Sequence, residues 1–361
     1  MLVLVVSDFH LGKGTFLSNG QKNLMEDFDE DDRFIEFVDY YCSEEYKDQS
    51  VHLVLNGDIL NLIQIDYLVI FTHIMDEQHC EKSLKCIING HKKFFKSLKR
   101  FLSQNNKKIS YVIGNHDAGM AFEGCQKIFS ETVGAEVQFT QCLEFLGIHI
   151  EHGHRFEAIN SVAPDQYFIS GPNGKKILNL PWGSLFCLSI LPKLKKERPY
   201  IDKIRPMSSY VIWTIFHDIF FFFRMAYVVI SYLITSNRDE FLKQNRNFKT
   251  TLKILKQITI YPKYEKKARS ILKNNPLLKV VVMGHTHLIE WRKFPEGKIY
   301  FNTGTWNSIP TIDAAAHESN LALTYVLVDI HDKTNEIINA KMNVWQGTWK
   351  PFREKVNLES I

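Results

Sequence analysis

The chain begins Met1-Leu2-Val3-Leu4-Val5-Val6-Ser7-Asp8-Phe9-His10, an apolar run of Leu and Val that stops at a carboxylate and an imidazole. Five apolar residues are too few for a helix core, and their Val content marks a strand buried on both faces. The same texture returns at Val51–Leu55, Ile109–Ile113, Leu143–Ile150 and Leu277–Met283, with helical stretches near Asp32–Tyr46 and Ser83–Leu102. Strands alternating with helices predict an α/β fold with largely parallel central strands. After Met283 short strands follow at Leu288–Phe294, Lys298–Asn302, Leu321–Asp329 and Glu336–Trp345, the first two joined as a hairpin at Pro295-Glu296-Gly297. Between Arg155 and Pro276 this rhythm breaks into basic segments and one long apolar tract, Ser208–Thr235. The expected organisation is a body formed by residues 1–154 and 277–361, with a mainly helical insertion or cap at 155–276.

Composition sets the frame. The 361 residues are 45% hydrophobic, 23% charged and 13% aromatic, which excludes disordered, collagen-like and disulfide-scaffold classes. Forty-four Lys+Arg against forty Asp+Glu leave a net charge of +4, too small a bias to imply nucleic acid. The six cysteines are scattered, without a Cys-x-x-Cys pair, and read as reduced thiols of a cytoplasmic protein. The N-terminal run lacks a basic segment and meets Asp8 early, so no signal peptide is expected.

Each of five predicted strands ends in a polar cluster. In order these are Asp8-Phe9-His10, Gly57-Asp58, Gly114-Asn115-His116-Asp117, His152-Gly153-His154 and Gly284-His285-Thr286-His287. Side chains at the carboxyl ends of parallel strands converge on one crevice. Asp, Asn and His are hard or borderline metal ligands, and seven of them exceed what one tetrahedral ion takes. Strand alternation aims Asp8 with His10, and His285 with His287, to a common side. The neighbouring glycines let the backbone turn sharply and approach closely. Any single cluster would pass for an ordinary turn; five in succession, each closing an apolar run, would be a poor coincidence.

These clusters, complete and in order, resemble the signature of the calcineurin-like metallophosphoesterases across the body of the chain, though not the insertion. The resemblance implies a four-layer β-sandwich flanked by helices and two divalent metal ions, manganese expected and iron or zinc the alternatives. It implies that Asp8, His10, Asp58 and His287 hold one ion, and that Asp58, Asn115, His152 and His285 hold the other, with Asp58 bridging. It also implies that His116 serves the leaving group, oriented by Asp117, while a metal-bridged hydroxide attacks phosphorus. The family pattern favours His152 over His154 as ligand. His154 and Arg155 are then either substrate contacts, Arg155 a bidentate phosphate binder, or a polar loop at the mouth of the site.

The opening Ser7-Asp8-Phe9-His10-Leu11-Gly12 and the later Asn302-Thr303-Gly304-Thr305-Trp306 are similar to the branch of UDP-2,3-diacylglucosamine pyrophosphohydrolases of lipid A synthesis. That branch carries a helical insertion accommodating acyl chains, but usually has aspartate within the segment here reading His152-Gly153-His154. Ser208–Thr235 would span roughly 42 Å as one helix. His217, Asp218 and Arg224 interrupt it before a membrane-spanning length is reached. Tyr210, His217, Arg224 and Ser231 recur every seven residues as a polar stripe, and His217 and Arg224 are candidate substrate contacts. Basic residues flank the tract, from Lys193 to Arg205 before it and from Arg238 to Lys253 after it. They predict peripheral attachment to an anionic inner-membrane surface, the alternative being a hydrophobic cap or homodimer core.

The acidic run Glu26 to Asp32 reads as a solvated loop entering a helix. The expected activity is therefore hydrolysis of a phosphoester or pyrophosphate in a lipid-linked substrate. Its rivals are a soluble nucleotide phosphodiesterase or phosphoprotein phosphatase whose insertion is a protein interface, and a non-catalytic scaffold.

Overall fold

In a computed structural model of the chain, residues 1–17, 19–23, 25–65, 72–163, 166–198, 201, 204, 207–236, 263–308, 321–349 and 351–357 are described. Strand β1 (Leu2–Val6) is buried throughout, with Val3 and Val5 facing one core and Leu2, Leu4 and Val6 the other. Along the chain follow α1 (Asp31–Tyr40), β2 (Val51–Asn56), α2 (Glu77–Gly90), α3 (Lys92–Leu102), β3 (Lys107–Val112), α4 (Glu123–Val133) and β4 (Gln138–Thr140). Strands β1 to β4 pair in parallel, as expected of helices returning the chain to the same edge. Next come β5 (Cys142–Phe145), β6 (Ile148–Glu151), β7 (Phe168–Ser170), β8 (Lys176–Leu178), α5 (Trp182–Ser189), α6 (Leu191–Lys195), α7 (Met207–His217), α8 (Ile219–Ser236) and α9 (Tyr264–Asn274). The chain closes with β9 (Val280–Met283), β10 (Ile289–Phe294), β11 (Lys298–Thr303), β12 (Thr324–Ile330), β13 (Ile337–Trp345) and β14 (Phe352–Asn357).

Two sheets form the sandwich. Their orders are β14-β13-β12-β1-β2-β3-β4 and β10-β11-β9-β6-β5. Val3, Val5, Val54, Val112, Ile150, Val282, Phe301 and Val326 interlock between them. Helices α1 to α4 cover the outer face of the first sheet, and α9 covers that of the second through Tyr264, Ala268 and Leu272. The result is the expected four-layer mixed α/β architecture. Carboxyl ends of β1, β2, β3, β6 and β9 all lead into the predicted polar clusters.

Several boundaries differ from expectation for local reasons. Leu143–Ile150 is a hairpin, not one strand, because Leu146 and Gly147 adopt φ of 48° and 79° and make a two-residue turn. Ser83–Leu102 is two helices meeting at His91. The insertion contains the small β7–β8 hairpin in addition to helices. Helix α9, inside the stretch expected to be insertion, packs on the sandwich.

The apolar tract is two helices rather than one, broken at Asp218, whose carboxylate accepts the Phe221 backbone N–H at 3.3 Å. Its buried side is Tyr210, Thr214, Phe221, Met225, Val228 and Tyr232. A second apolar side faces outward: Phe216, Phe220, Phe223 and Tyr227 are 77%, 87%, 62% and 64% exposed, with Ile212, Ile230 and Ile234 in line. The expected polar stripe is thereby reassigned. Tyr210 is in the core, and Arg224 and Asp218 pair with Glu197 and Arg198. Among the described residues, no helix is long and apolar enough to cross a membrane. The flanking basic positions 203, 205, 238, 243, 246, 249 and 253 lie outside the described residues.

Candidate metal centre

The loops leaving the strands are built from unusual backbone. Asp8, His10, Asp58, His285 and His287 have φ of 58°, 53°, 51°, 73° and 60°, a left-handed conformation that side-chain-bearing residues rarely hold. Each costs of the order of 1 kcal/mol or more, so the surrounding structure must impose it. Thr305 Oγ1 donates to the Asp8 carbonyl at 2.6 Å, Asn307 Nδ2 to the Phe9 carbonyl at 2.9 Å, and Ser7 shares a hydroxyl hydrogen bond with Thr303. The Asn302–Asn307 segment thus braces the first loop. Trp306 is fully buried, its ring 5.0 Å from Phe9. Glu26 adds a second brace by accepting the backbone N–H groups of Gly12 and Gly14 at 2.8 and 2.6 Å. It is a buried clamp, correcting its reading as part of a solvated loop, and its ion pair with His91 offsets the cost of burial.

Six of the seven candidate ligands converge in two groups, and the seventh, Asn115, lines the cleft beside them. Asp8, His10 and His287 form one group, and Asp58, His152 and His285 another; within each, the potential ligand atoms lie within 4.8 Å of one another. His10 Nε2 lies 3.9 Å from Asp58 Oδ2, and His152 Nε2 lies 3.2 Å from the same oxygen, so Asp58 stands between the groups. The Nε2 atoms of His10 and His287 face each other at 3.0 Å. Two imidazole nitrogens so close need a shared proton or a cation. His152 Nδ1 donates to the Asn56 carbonyl at 2.9 Å, which turns Nε2 toward Asp58 as the candidate ligand atom. Likewise Glu157 takes the Nε2 side of His285 at 2.9 Å, leaving Nδ1.

The fit to divalent cations rests on an atom otherwise left stranded. Asn115 Oδ1 is buried without a hydrogen-bond partner, a costly state unless a cation meets it. Burial, reinforced by Asp58, lifts Asp8 to about 6. Burial also presses His10 down to about 3, which makes it a neutral ligand. Burial disfavours the charge on His152, but Asp58 and Asp8 outweigh it and hold its pKa at about 10. Divalent ions could take the place of that proton. Backbone space is equally tight: a Cβ on Gly57, whose φ is +77°, would fall within 2.7 Å of the His152 ring.

His116 sits at the edge of this cage, its ring centroid 4.5 Å from that of His10. Its expected orienting partner differs in the structure. His116 Nδ1 meets Asn61 Oδ1 at 3.0 Å. Asp117 instead accepts from Ile59 N, Gly114 N and Tyr111 Oη at 3.0, 2.5 and 2.6 Å and so fastens two of the loops together. Three backbone and hydroxyl donors already aim at that carboxylate, which explains why it does not serve the histidine.

A shallow cleft opens beside the cage, lined by Asn115, His154, Arg155, Asn160, Tyr167, Leu178, Leu180 and Pro181. His154 joins neither ligand group; its Nδ1 is buried and unpartnered, and burial keeps the ring neutral. Arg155 pairs with Glu151 at 3.1 Å. His217 and Arg224 are placed on the α7–α8 helices, where His217 meets the Trp213 carbonyl and Arg224 meets Glu197. Among the described residues, neither lines the cleft.

The family model for calcineurin-like phosphoesterases matches residues 1–288. The chain belongs to that family. It is a metal-dependent phosphoester hydrolase acting on a phosphorylated substrate. No curated protein matches it. Among solved structures, a dimetal phosphatase from Danio rerio is 8% identical, with 99% of this chain and 98% of that one covered and a TM-score of 0.40. Vps29 from Entamoeba histolytica, complexed with zinc, is 10% identical over 99% of this chain and 100% of that one, with a TM-score of 0.30. At such scores neither likeness bears on the chemistry of this phosphoesterase. Sequence reasoning missed Asn61, Gln64 and Glu157, polar residues outside the motifs with no spacing to mark them.

Proposed function

We propose that this phosphoesterase hydrolyses a pyrophosphate or phosphoester in a substrate with an apolar, lipid-like portion, of the class of UDP-2,3-diacylglucosamine. In this reading Asp8, His10, Asp58 and His287 hold one ion, and Asp58, Asn115, His152 and His285 the second, manganese being preferred over iron or zinc. Two such ions stabilise the attacking and leaving oxygens of an in-line displacement and lower the pKa of bound water. The protein's own part begins with His116. Asn61 takes its Nδ1 side, so Nε2 is left to hold or deliver a proton at the leaving oxygen. Arg155 and His154 contact the phosphate or sugar from the cleft wall; His217 and Arg224 are assigned to a more distal part of the substrate path.

The observation carrying this reading is the composition of the cleft. One side presents Asn115, His154 and Arg155, and the other presents Leu178, Leu180 and Pro181, contributed by the stretch 155–276. That stretch is read as a cap inserted into a body of residues 1–154 and 277–361. The exposed apolar side of α7 and α8 would rest on the cytoplasmic face of an anionic membrane, since exposed patches of this size are otherwise avoided. Turnover of lipid-linked pyrophosphates against water-soluble nucleotide diphosphates and phosphodiesters tests the substrate class. Preference for the lipid-linked series supports it; equal or better turnover of the soluble series defeats it. A second reading takes that exposed side as an interface, with a second copy or another protein covering it and a soluble phosphorylated substrate below.

A further inference from the structure

The β5–β6 hairpin carries a second group of metal-ligating side chains away from the cage. Cys142 and Glu144 alternate along β5, and His149 and Glu151 alternate along β6, where the pairing sets Cys142 opposite Glu151 and Glu144 opposite His149. Leu143, Ile148 and Ile150 point the other way, into the core between the sheets. All four polar side chains therefore share the outer face at the sheet edge. The ligand atoms of Cys142, Glu144 and His149 lie within 4.8 Å of one another.

We infer that Cys142, Glu144 and His149 form a second, sulfur-containing site for a borderline divalent cation of the zinc class, with Glu151 orienting the histidine. Cys142 Sγ is 3.7 Å from His149 Nδ1. A tetrahedral zinc ion with ordinary bond lengths holds sulfur and nitrogen about 3.5 Å apart, so the spacing suits an ion, although Sγ is also 3.7 Å from Nε2 and must turn toward the Nδ1 side to share one. Glu144 Oε1 is 2.5 Å from the same nitrogen and must swing outward by about 0.8 Å to admit an ion. Its side chain is 47% exposed, which leaves it free to do so. On the far side of the ring, His149 Nε2 meets Glu151 Oε1 at 2.8 Å, and Arg155 holds the other oxygen of Glu151 at 3.1 Å. A carboxylate behind a histidine fixes its tautomer and raises its basicity toward a metal. Three protein ligands at the surface leave the fourth position to water. Without an ion the same atoms remain as ion pairs of His149 with the two glutamates; binding expels the imidazolium and thiol protons. The ion would cross-link the edge hairpin whose second strand runs directly into His152.

Cobalt(II) distinguishes this site from the cage, because none of the cage's candidate ligands is sulfur. Titrating the metal-stripped full-length protein with Co²⁺ should produce one equivalent of thiolate-to-cobalt charge-transfer absorption. The band should survive Asp58→Asn, vanish in Cys142→Ser, and need at least tenfold more cobalt in the surface variant Glu144→Gln. No band in the wild-type protein, a band that persists in Cys142→Ser, or one with unchanged affinity in Glu144→Gln would overturn the assignment.

Discussion

Asn61 Oδ1 lies 3.0 Å from Nδ1 of His116, and a chain of side-chain amides fixes that contact from the insertion. Asn61 Nδ2 donates to Gln64 Oε1 at 2.9 Å, and Gln64 Nε2 donates to the Cys187 carbonyl on α5 at 3.0 Å. A backbone carbonyl can only accept, so Gln64 and then Asn61 are each held in one orientation. The Asn61 oxygen must face His116, and Nδ1 must be the protonated nitrogen. Replacing Asn61 by Leu should lower kcat by about 10- to 100-fold with KM nearly unchanged. Gln64→Met should give a smaller loss in the same direction. Steady-state kinetics with a small aryl phosphodiester would check both; a change confined to KM would refute the orienting role.

Asp58 stands between the two candidate ligand groups, His10 Nε2 and His152 Nε2 lying 3.9 and 3.2 Å from one of its oxygens, so Asp58→Asn should remove more than one ion's worth of binding. Activity should fall by about a thousandfold or more, since several kcal/mol of transition-state stabilisation depend on the ions. Elemental analysis of the purified variant after manganese loading would check it. Retention of full metal content and activity would remove Asp58 from its place.

Gly57→Ala places a methyl group against His152 at a left-handed position. The expected cost is about 1–3 kcal/mol of stability together with loss of metal-dependent activity. Thermal unfolding and turnover measured on one preparation would show both. An active, fully stable Gly57→Ala enzyme would mean the His152 ring is not held where it stands.

Stability should also depend on pH through His91. Burial opposes its charge, but hydrogen bonds to Asp31 and Glu26 prevail and raise its pKa from 6.5 to about 9. The folded value exceeds the unfolded one, so this stabilisation is complete below about 6.5 and fades as pH rises through about 9. Its size is about 3 kcal/mol. Denaturant titrations at pH 6 and pH 10 should show that loss in the wild type and a much flatter profile in His91→Gln. Identical pH profiles would exclude His91 as the source.

The outward side of α7 and α8 predicts a membrane phenotype. Phe216→Asp with Phe220→Asp should reduce co-sedimentation with anionic vesicles at least tenfold, each lost phenylalanine being worth about 1.5–3 kcal/mol of burial. Turnover of a soluble phosphodiester should be unaffected. Wild-type protein that ignores such vesicles would favour a protein partner on that face.

Much of this was legible in the sequence. The buried strands announced themselves as Val-rich runs, and the clusters at their ends identified the family and named six side chains that the fold brings into two neighbouring groups. The hairpin at Leu146-Gly147 was hidden because an apolar residue occupies the turn, and periodicity cannot see a positive φ. The break at Asp218 was hidden for the opposite reason: a polar residue within an apolar tract reads equally as an interruption on one continuous helix or as a cap. Asn61 and Glu157 escaped notice, and Glu26 was misread as solvated, because their roles come from tertiary contacts with His116, His285 and two glycine N–H groups.

Anomalous scattering from manganese-loaded crystals addresses the two-ion cage most directly. Two peaks should flank the Asp58 carboxylate, one contacted by Asp8, His10 and His287 and the other by Asn115, His152 and His285. A single peak, or none, in fully loaded crystals would contradict it.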